Sequence, residues 1–419
     1  MEAIKAVKFK YYGDFSELFK DFREMIEFCI DKALELGITS YAKLRRSIYE
    51  EWKRKWYPRY HTHYCHSACK IATAILKNFR KRKRKGLTDK DKPEIRKDFV
   101  KLEEMLFKFE GDRVKIVTSP RNWITVNLVV GEYQENFIEA WRKGELELGE
   151  LIIKRDYIII PFKKKVEFKD TKAVMTIDIN EKNVTYSIFD EKGEVIKTVR
   201  LDIYKVKRIH DEHSKKREKI QKKLTKKPIK MRKILKKYSG REKRRIEDYL
   251  HKVSAIIVSE AVKYNAKIVM ENLKYIRNSV NGKSKSIRKR LNRWNFRKLQ
   301  FFIEYKAKWN GLNVDYVKAY RTSSLCPICG CRLNPNEQRL LKCEKCCLEF
   351  DRDVVATFNI FKSGCGEFRS PRTLPDKVWL IKPDGTGELL KVVQNRLEER
   401  RVWWDRLKPN RKRNISQKY

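Results

Sequence analysis

No stretch of this chain approaches the ~18 consecutive apolar residues of a membrane-spanning helix. The N-terminus, MEAIKAVKFKYYGDF, lacks the apolar core of a secretory signal. Acidic residues are also scarce, with 55 Asp and Glu against 100 Lys and Arg, a formal net charge of +45 on 419 residues. The first two absences argue against a membrane partner and against export, so a cytoplasmic location is expected. The ten cysteines are then read as thiols or metal ligands before disulfides. The shortage of acid points elsewhere. With 41% hydrophobic and 11% aromatic residues, the chain is no disordered basic tail. A folded protein with such an excess of positive charge suits a long polyanion. At about 150 residues per domain, the length suggests two to four domains.

Residues 3–11 alternate lysine with Val7, Phe9 and Tyr11, a short strand. Asp14 and Glu17 resemble a capping pair for a helix with Leu18, Phe22, Met25, Ile26, Cys29 and Ala33 on one face. Gly37 is its natural stop. A second helical stretch runs from about Ser67 to Arg84. Residues 112–168 read as β. The N-terminal third is thus a β module interrupted by a helical insertion. After Lys172 come three strand-like runs, AVMTIDI, NVTYSIFD and EVIKTVRLD, with a turn at Asp190–Gly193. A long basic helical stretch follows, from about Lys205 to Tyr264. Then come the buried strand AKIVME, a helix near 293–309 and the strand VDYVKAY. This order reads as a multidomain α/β or α+β chain. The last fifty residues carry no assignable fold. Trp52, Trp56, Tyr57 and Tyr60 could stack on unpaired bases, but core packing is the better reading. Trp294, Phe296, Phe301 and Phe302 are also read as core.

Cys326-Pro-Ile-Cys329 and Cys343-Glu-Lys-Cys346 are two CxxC turns separated by 13 residues. Each turn places two thiolates on one side of a tight loop, and two such turns surround one tetrahedral Zn²⁺. Four thiolates leave no open position, so this zinc is structural. Cys331 and Cys347 are spare, and Cys347 could compete as a ligand. His61, His63, Cys65, His66 and Cys69 form a second cluster. It has no partner pair at knuckle spacing, and a loop running into an amphipathic helix is the simpler reading.

Three acids stand apart from the basic background. Asp178 lies inside the apolar strand VMTIDIN, a costly place for an unpaired carboxylate. Glu271 ends AKIVME, at the sheet rim where α/β proteins commonly bind ligands. Asp351 and Asp353 open the helical segment DRDVVATFNIFK. Each has a plain alternative: Asp178 salt-bridged, Glu271 capping a turn, either aspartate an N-cap. Converging on one rim, they could hold two Mg²⁺ ions for phosphodiester hydrolysis.

The segments TIDINEKNVTYSIFD, IVMENL, WNFRKLQFFIEYKAKWNGLNVDYV, RTSSLCPICG and CEKCCLEFDRDVVATFNI resemble, in this order, the TnpB (OrfB) proteins of insertion sequences. Those are relatives of the type V CRISPR effector nucleases. The resemblance covers residues 171–362. It implies an RNase H-like (RuvC-type) nuclease core over 171–321 and 351–365. A zinc-ribbon-like module at 322–350 would be inserted into that core. A wedge-type β-barrel at 1–12 and 110–170 would be interrupted by a helical recognition domain at 13–109. Residues 366–419 would be a basic extension. The implied catalytic and magnesium-binding triad is Asp178, Glu271 and Asp353. The alignment chooses Asp353 over Asp351. Val355 stands where the family's last motif has Asn, Thr357 where it has Ala, and Cys347 where a Gly is usual. The implied partners are a guide RNA from a transposon end and target double-stranded DNA. The implied activity is RNA-guided, Mg²⁺-dependent DNA cleavage.

Basic runs offer the phosphate contacts. Between Lys205 and Arg245 there are 20 Lys or Arg against 4 Asp or Glu. Lys215, Lys216, Arg217, Lys222, Lys223, Lys226 and Lys227 are the candidates there. Arg80, Lys81, Arg82, Lys83, Arg84 and Lys85 form a second run. Such contacts set affinity and do not specify sequence. Three other readings remain: an RNA-guided DNA-binding regulator without cleavage, a transposase proper, and a basic zinc-containing binding protein.

Overall fold

The structure is a computed structural model that describes residues 1–274, 284, 287–288, 294–318, 320–335, 340–346, 348–365, 377–381 and 387–391. Cys347 and most of the basic extension lie outside the described residues. The chain divides into two units, 1–165 and 166–419.

In the first unit, alternation along β1 (Glu2–Tyr11) buries Val7, Phe9 and Tyr11 and leaves Lys8 and Lys10 exposed. Three helices follow: α1 (Ser16–Glu35), α2 (Tyr41–Trp56) and α3 (His63–Arg84). α1 buries the expected stripe, and Gly37 beyond its end adopts a φ of 64° that suits glycine. Asp14 does not cap α1. Its carboxylate accepts from the Ser16 amide and hydroxyl, while Glu17 pairs with Arg59. Trp52, Trp56 and Tyr60 are buried, as expected, and Tyr57 is exposed.

The chain returns to β structure at Val100, ahead of the expected boundary at 110, with β2 (Val100–Leu102) and β3 (Phe107–Phe109). β4 (Arg113–Val117) and β5 (Trp123–Val129) follow. α4 (Glu132–Arg142) interrupts the stretch expected to be all β, burying Phe137 and Ile138. β6 (Glu147–Leu148), β7 (Leu151–Ile153) and β8 (Tyr157–Lys165) complete the sheet. Its order is β2-β7-β8-β1-β5-β4-β3, with β6 also on β8. The expected barrel is therefore corrected to an open sheet. Its end strands β2 and β3 pair with β7 and β4, not with each other. Each is three residues long, and one 3-10 turn at Glu104–Leu106 links them. So little facing backbone cannot build the ladder that closure needs.

The second unit opens with an antiparallel meander: β9 (Ala173–Ile179), β10 (Asn183–Phe189) and β11 (Val195–Asp202). The expected turn at 190–193 is present, with the Asp190 carboxylate accepting the Lys192 and Glu194 amides. The single basic helix expected over 205–264 is two, α5 (Tyr204–Lys223) and α6 (Pro228–Lys263). The break precedes Pro228, which fits only a first helical turn. β12 (Ala266–Glu271) runs parallel to β9. α7 (Phe296–Trp309) leads to β13 (Val314–Val317), parallel to β12. A three-stranded sheet of β14 (Asn334–Pro335), β15 (Leu340–Cys343) and β16 (Leu348–Asp351) runs into α8 (Arg352–Gly364). β17 (Lys377–Ile381) and β18 (Gly387–Lys391) come from the last fifty residues. The main sheet is ordered β13-β12-β9-β10-β11-β17-β18.

Helices cover both faces of that sheet. Met175, Ile177, Tyr186, Ile268 and Met270 pack against α6 and α7. Val174, Phe189, Val269 and Val317 pack against α8. Phe296 and Phe302 join the core, but Phe301, also expected there, is exposed. It lies one position off the buried stripe of α7. Among the described residues, no helix is long and apolar enough to cross a membrane.

Candidate active site

Strand alternation decides where the acids point. Asp178 shares the parity of Val174 on β9, and Glu271 shares that of Val269 on β12, so both face α8. Register then brings them together. Met270 pairs with Ile177, so the next residues, Glu271 and Asp178, stand side by side on neighbouring parallel strands. Asp353 enters from the first turn of α8.

One side-chain amide links two of the acids. Asn180 Nδ2 donates to Asp178 Oδ2 at 2.6 Å and to Asp353 Oδ1 at 3.2 Å. Asn183 Nδ2 donates to Asp353 Oδ2 at 2.9 Å. Arg200 on β11 lies 3.1 Å from the same oxygen and 2.5 Å from Asp351 Oδ1. Arg200, Asp351 and Asp353 are 1%, 4% and 1% exposed. Asp351 is the N-cap of α8: Oδ1 accepts the Asp353 and Val354 amides at 2.9 and 3.3 Å. Of the two aspartates, Asp353 is thus the one directed at Asp178. Residue-type reasoning missed Asn180, Asn183 and Arg200. The signal for Arg200 was available, since a cation in the apolar run VIKTVRLD is as anomalous as Asp178 in its strand.

Glu271 accepts a hydrogen bond from the Thr322 hydroxyl, and its main-chain oxygen accepts from Gln300 Nε2 at 2.7 Å. Burial pushes the Glu271 carboxyl up, and the Thr322 bond opposes the shift. Thr322→Val removes that bond, so the Glu271 pKa rises further. The acid limb of any activity that uses ionised Glu271 is then expected to move to higher pH. A pH profile unchanged by the substitution refutes this coupling.

Among the described residues, two clusters hold three or more ligand atoms within 4.8 Å of one another, and the acidic trio is neither of them. Its donors are all hard oxygens, which suit Mg²⁺. The Asn180 nitrogen, a polar donor between two carboxylates, marks a spot a cation fits.

The four cysteine sulfurs are one of the clusters. Cys326 and Cys346 Sγ are 3.9 Å apart, and Cys329 and Cys343 Sγ 3.5 Å. Zn–S bonds of about 2.3 Å in a tetrahedron give sulfur separations of about 3.8 Å, so zinc fits. The apolar core here is small: Leu333, Leu341 and Val355 beside the cysteines. Val355 therefore packs into this module instead of lining the acids. Thr357 points to β10, where its hydroxyl meets that of Ser187 at 2.8 Å. Asn359 Nδ2 donates to the Thr322 and Leu325 carbonyls at 2.6 and 2.8 Å, tying the module's entry loop to α8. A core this small would depend on a bound ion. Cys343→Ser is expected to release one zinc and unfold the module, read as loss of bound zinc and of protease resistance over 322–350. Full resistance without zinc contradicts this.

Lys81–Lys85 are exposed and Arg80 half-buried at the end of α3, where cations complement the helix dipole. Lys215, Lys216, Lys222, Lys223, Lys226 and Lys227 are exposed on α5 and the α5–α6 turn. Arg217 differs, because it pairs with Glu242 of α6, which also meets His210 Nδ1 at 2.7 Å. Its charge is engaged in joining the two helices.

A mixed parallel and antiparallel sheet with a carboxylate cluster at its rim and a four-cysteine module before its last helix defines a class of two-unit α/β protein. Comparison with known proteins narrows it. Residues 296–360 match the family described as Cas12f1-like, TNB domain, and residues 18–117 match the Uncharacterized protein MJ0013 family. The chain is 67% identical over 269 residues to TnpB-like protein MJ0751 of Methanocaldococcus jannaschii, covering 64% of this chain and 97% of that protein. It is 39% identical over 72 residues to the CRISPR-associated endodeoxyribonuclease Cas12f2 of a Micrarchaeota archaeon, covering 16% of this chain and 13% of that protein. The fold is similar to the solved structure of the mini-RNA-guided endonuclease CRISPR-Cas_phi3. The TM-score is 0.54 at 11% identity, over 88% of this chain and 93% of that one. The chain belongs to the TnpB-like family.

Proposed function

We propose that this chain is an RNA-guided DNA endonuclease with an RNase H-like (RuvC-type) core, in which Asp178, Glu271 and Asp353 hold two Mg²⁺ ions. The observation that carries the reading is the Asn180 amide shared by Asp178 and Asp353, with Glu271 on the adjoining strand. The bound ions would supply an activated water and steady the leaving oxygen. The protein's own groups do the positioning. Arg200 and Asn183 hold Asp353 through Oδ2, and Thr322 orients Glu271. The cysteine module, with structural Zn²⁺, would brace the loop that carries Thr322. Family membership and the named activities of the similar proteins support RNA and DNA as partners, and the DNA is proposed to be double-stranded. Residues 13–109 would form the recognition part, with the exposed lysines of α5 and the α3 terminus on nucleic-acid phosphates.

The test is purification of the full chain with its bound nucleic acid and sequencing of that nucleic acid. Cutting of a matching DNA duplex in Mg²⁺ is then assayed. A defined RNA and Mg²⁺-dependent cutting are expected. Target binding without cutting selects a regulator instead. For the phosphate contacts, Lys222, Lys223, Lys226 and Lys227 changed to alanine should flatten log K against log[salt] by roughly 0.7–0.9 per lost contact. An unchanged slope places the nucleic acid elsewhere.

A further inference from the structure

The broad cluster around His61–Cys69 separates by burial. Cys65 and Cys69 are buried, with Cys69 Sγ 3.7 Å from that of Cys29, so they belong to the helix core. His63 and His66, one turn apart on α3, are half-buried and turn toward Glu103, just past the end of β2. His63 Nδ1 and His66 Nδ1 lie 3.5 and 3.7 Å from one atom, Glu103 Oε2. All three ligand atoms lie within 4.8 Å of one another.

These distances are at or beyond the limit of a hydrogen bond. They are close to the edges of a coordination tetrahedron. Bonds of about 2.1 Å from one ion to N and O ligands set those ligands about 3.4 Å apart. The carboxylate is held for the task. Its other oxygen, Oε1, takes Lys70 Nζ at 2.5 Å, and Lys70 is fixed in turn by Glu150 at 3.0 Å. This leaves Oε2 turned to the two imidazoles, as outer partners orient a ligating carboxylate. The His63 ring stacks on His61, with centroids 5.3 Å apart, and the His61 Nδ1 accepts the His63 amide at 3.3 Å. Arg45 Nη1 approaches His66 from its other nitrogen, Nε2, at 3.5 Å. The three ligands are half-buried, so an ion could enter from solvent.

We propose that His63, His66 and Glu103 form a second metal site, separate from the cysteine module, for a borderline divalent transition ion such as Zn²⁺. Two imidazoles and one carboxylate leave a fourth position for water. The ion would join α3 to the segment between β2 and β3, pinning the helical insertion to the end of its sheet.

The experiment strips the full chain with chelator, titrates it with zinc chloride and measures bound metal after desalting. Two equivalents are expected in the wild type. The His63→Ala/His66→Ala variant should keep one, and Cys343→Ser should keep the other. Co²⁺ distinguishes the two, because only the cysteine site gives intense thiolate charge-transfer absorption. Where the double variant does not match the wild-type far-UV circular dichroism, the closer mimic His66→Gln replaces it. A single wild-type equivalent that Cys343→Ser removes overturns the proposal, as does undiminished zinc in the histidine variant. A single equivalent that only the histidine variant removes supports this site and refutes zinc at the cysteines.

Discussion

Asp178→Ala is expected to lower DNA cleavage by about a thousandfold or more while leaving RNA binding intact. Asp178 meets Asn180 at 2.6 Å and stands beside Glu271 in the sheet, so its loss would remove a central oxygen ligand of the proposed metal site. Metal-ion stabilisation of the transition state is worth several kcal/mol, and each ~1.4 kcal/mol is a factor of ten. Stability should change little, because Asp178 sits at the sheet rim and the buried ion pairs of Arg200 with Asp351 and Asp353 stay in place. Single-turnover cutting of a matched duplex in Mg²⁺ reads the effect. Near-wild-type cutting by Asp178→Ala sinks the proposed active site.

Arg200→Met is expected to destabilise the protein by about 3–5 kcal/mol. Arg200 is 1% exposed and neutralises Asp351 and Asp353, themselves 4% and 1% exposed. Methionine keeps much of the volume but strands two carboxylates in the interior, which costs more than the intact group contributes. For a unit of this size the melting temperature should fall by the order of 10 °C. Cleavage should fall as well, because Asp353 loses one of the partners on Oδ2. Calorimetry of the RNA-free chain measures the first effect. An unchanged melting temperature means the carboxylates are not dependent on Arg200.

Much of this arrangement is legible in the residues, because it rests on local periodicity. The parity of Asp178 with Val174, and of Glu271 with Val269, follows from alternation alone. The CxxC turns announce their sulfurs by spacing. The stripe on α1 and its stop at Gly37 follow from helical geometry. The resemblance to TnpB proteins implies Asp353, and only the structure shows that Asp351 is the cap of α8. Other expectations failed where they depended on partners far along the chain. The β pattern of the first unit did not say whether its end strands meet, and a barrel and an open sheet share the same alternation. That Arg217, a candidate phosphate contact, also pairs with Glu242 of another helix is not written in its local pattern. That Val355 packs into the cysteine module follows only from the way α8 is set.

The sequence by itself determined the basic character of this protein, its two chemical clusters of acid and thiol, and the faces its strands present. Those are properties of residue type and of spacing along one element. Only the tertiary structure decided the register that sets Glu271 beside Asp178. It also supplied the Asn180 bridge to Asp353, the Arg200 pairing beneath them and the two histidines turned toward Glu103. Each of these joins segments distant in sequence, and no local periodicity encodes which distant strand or helix will be the neighbour.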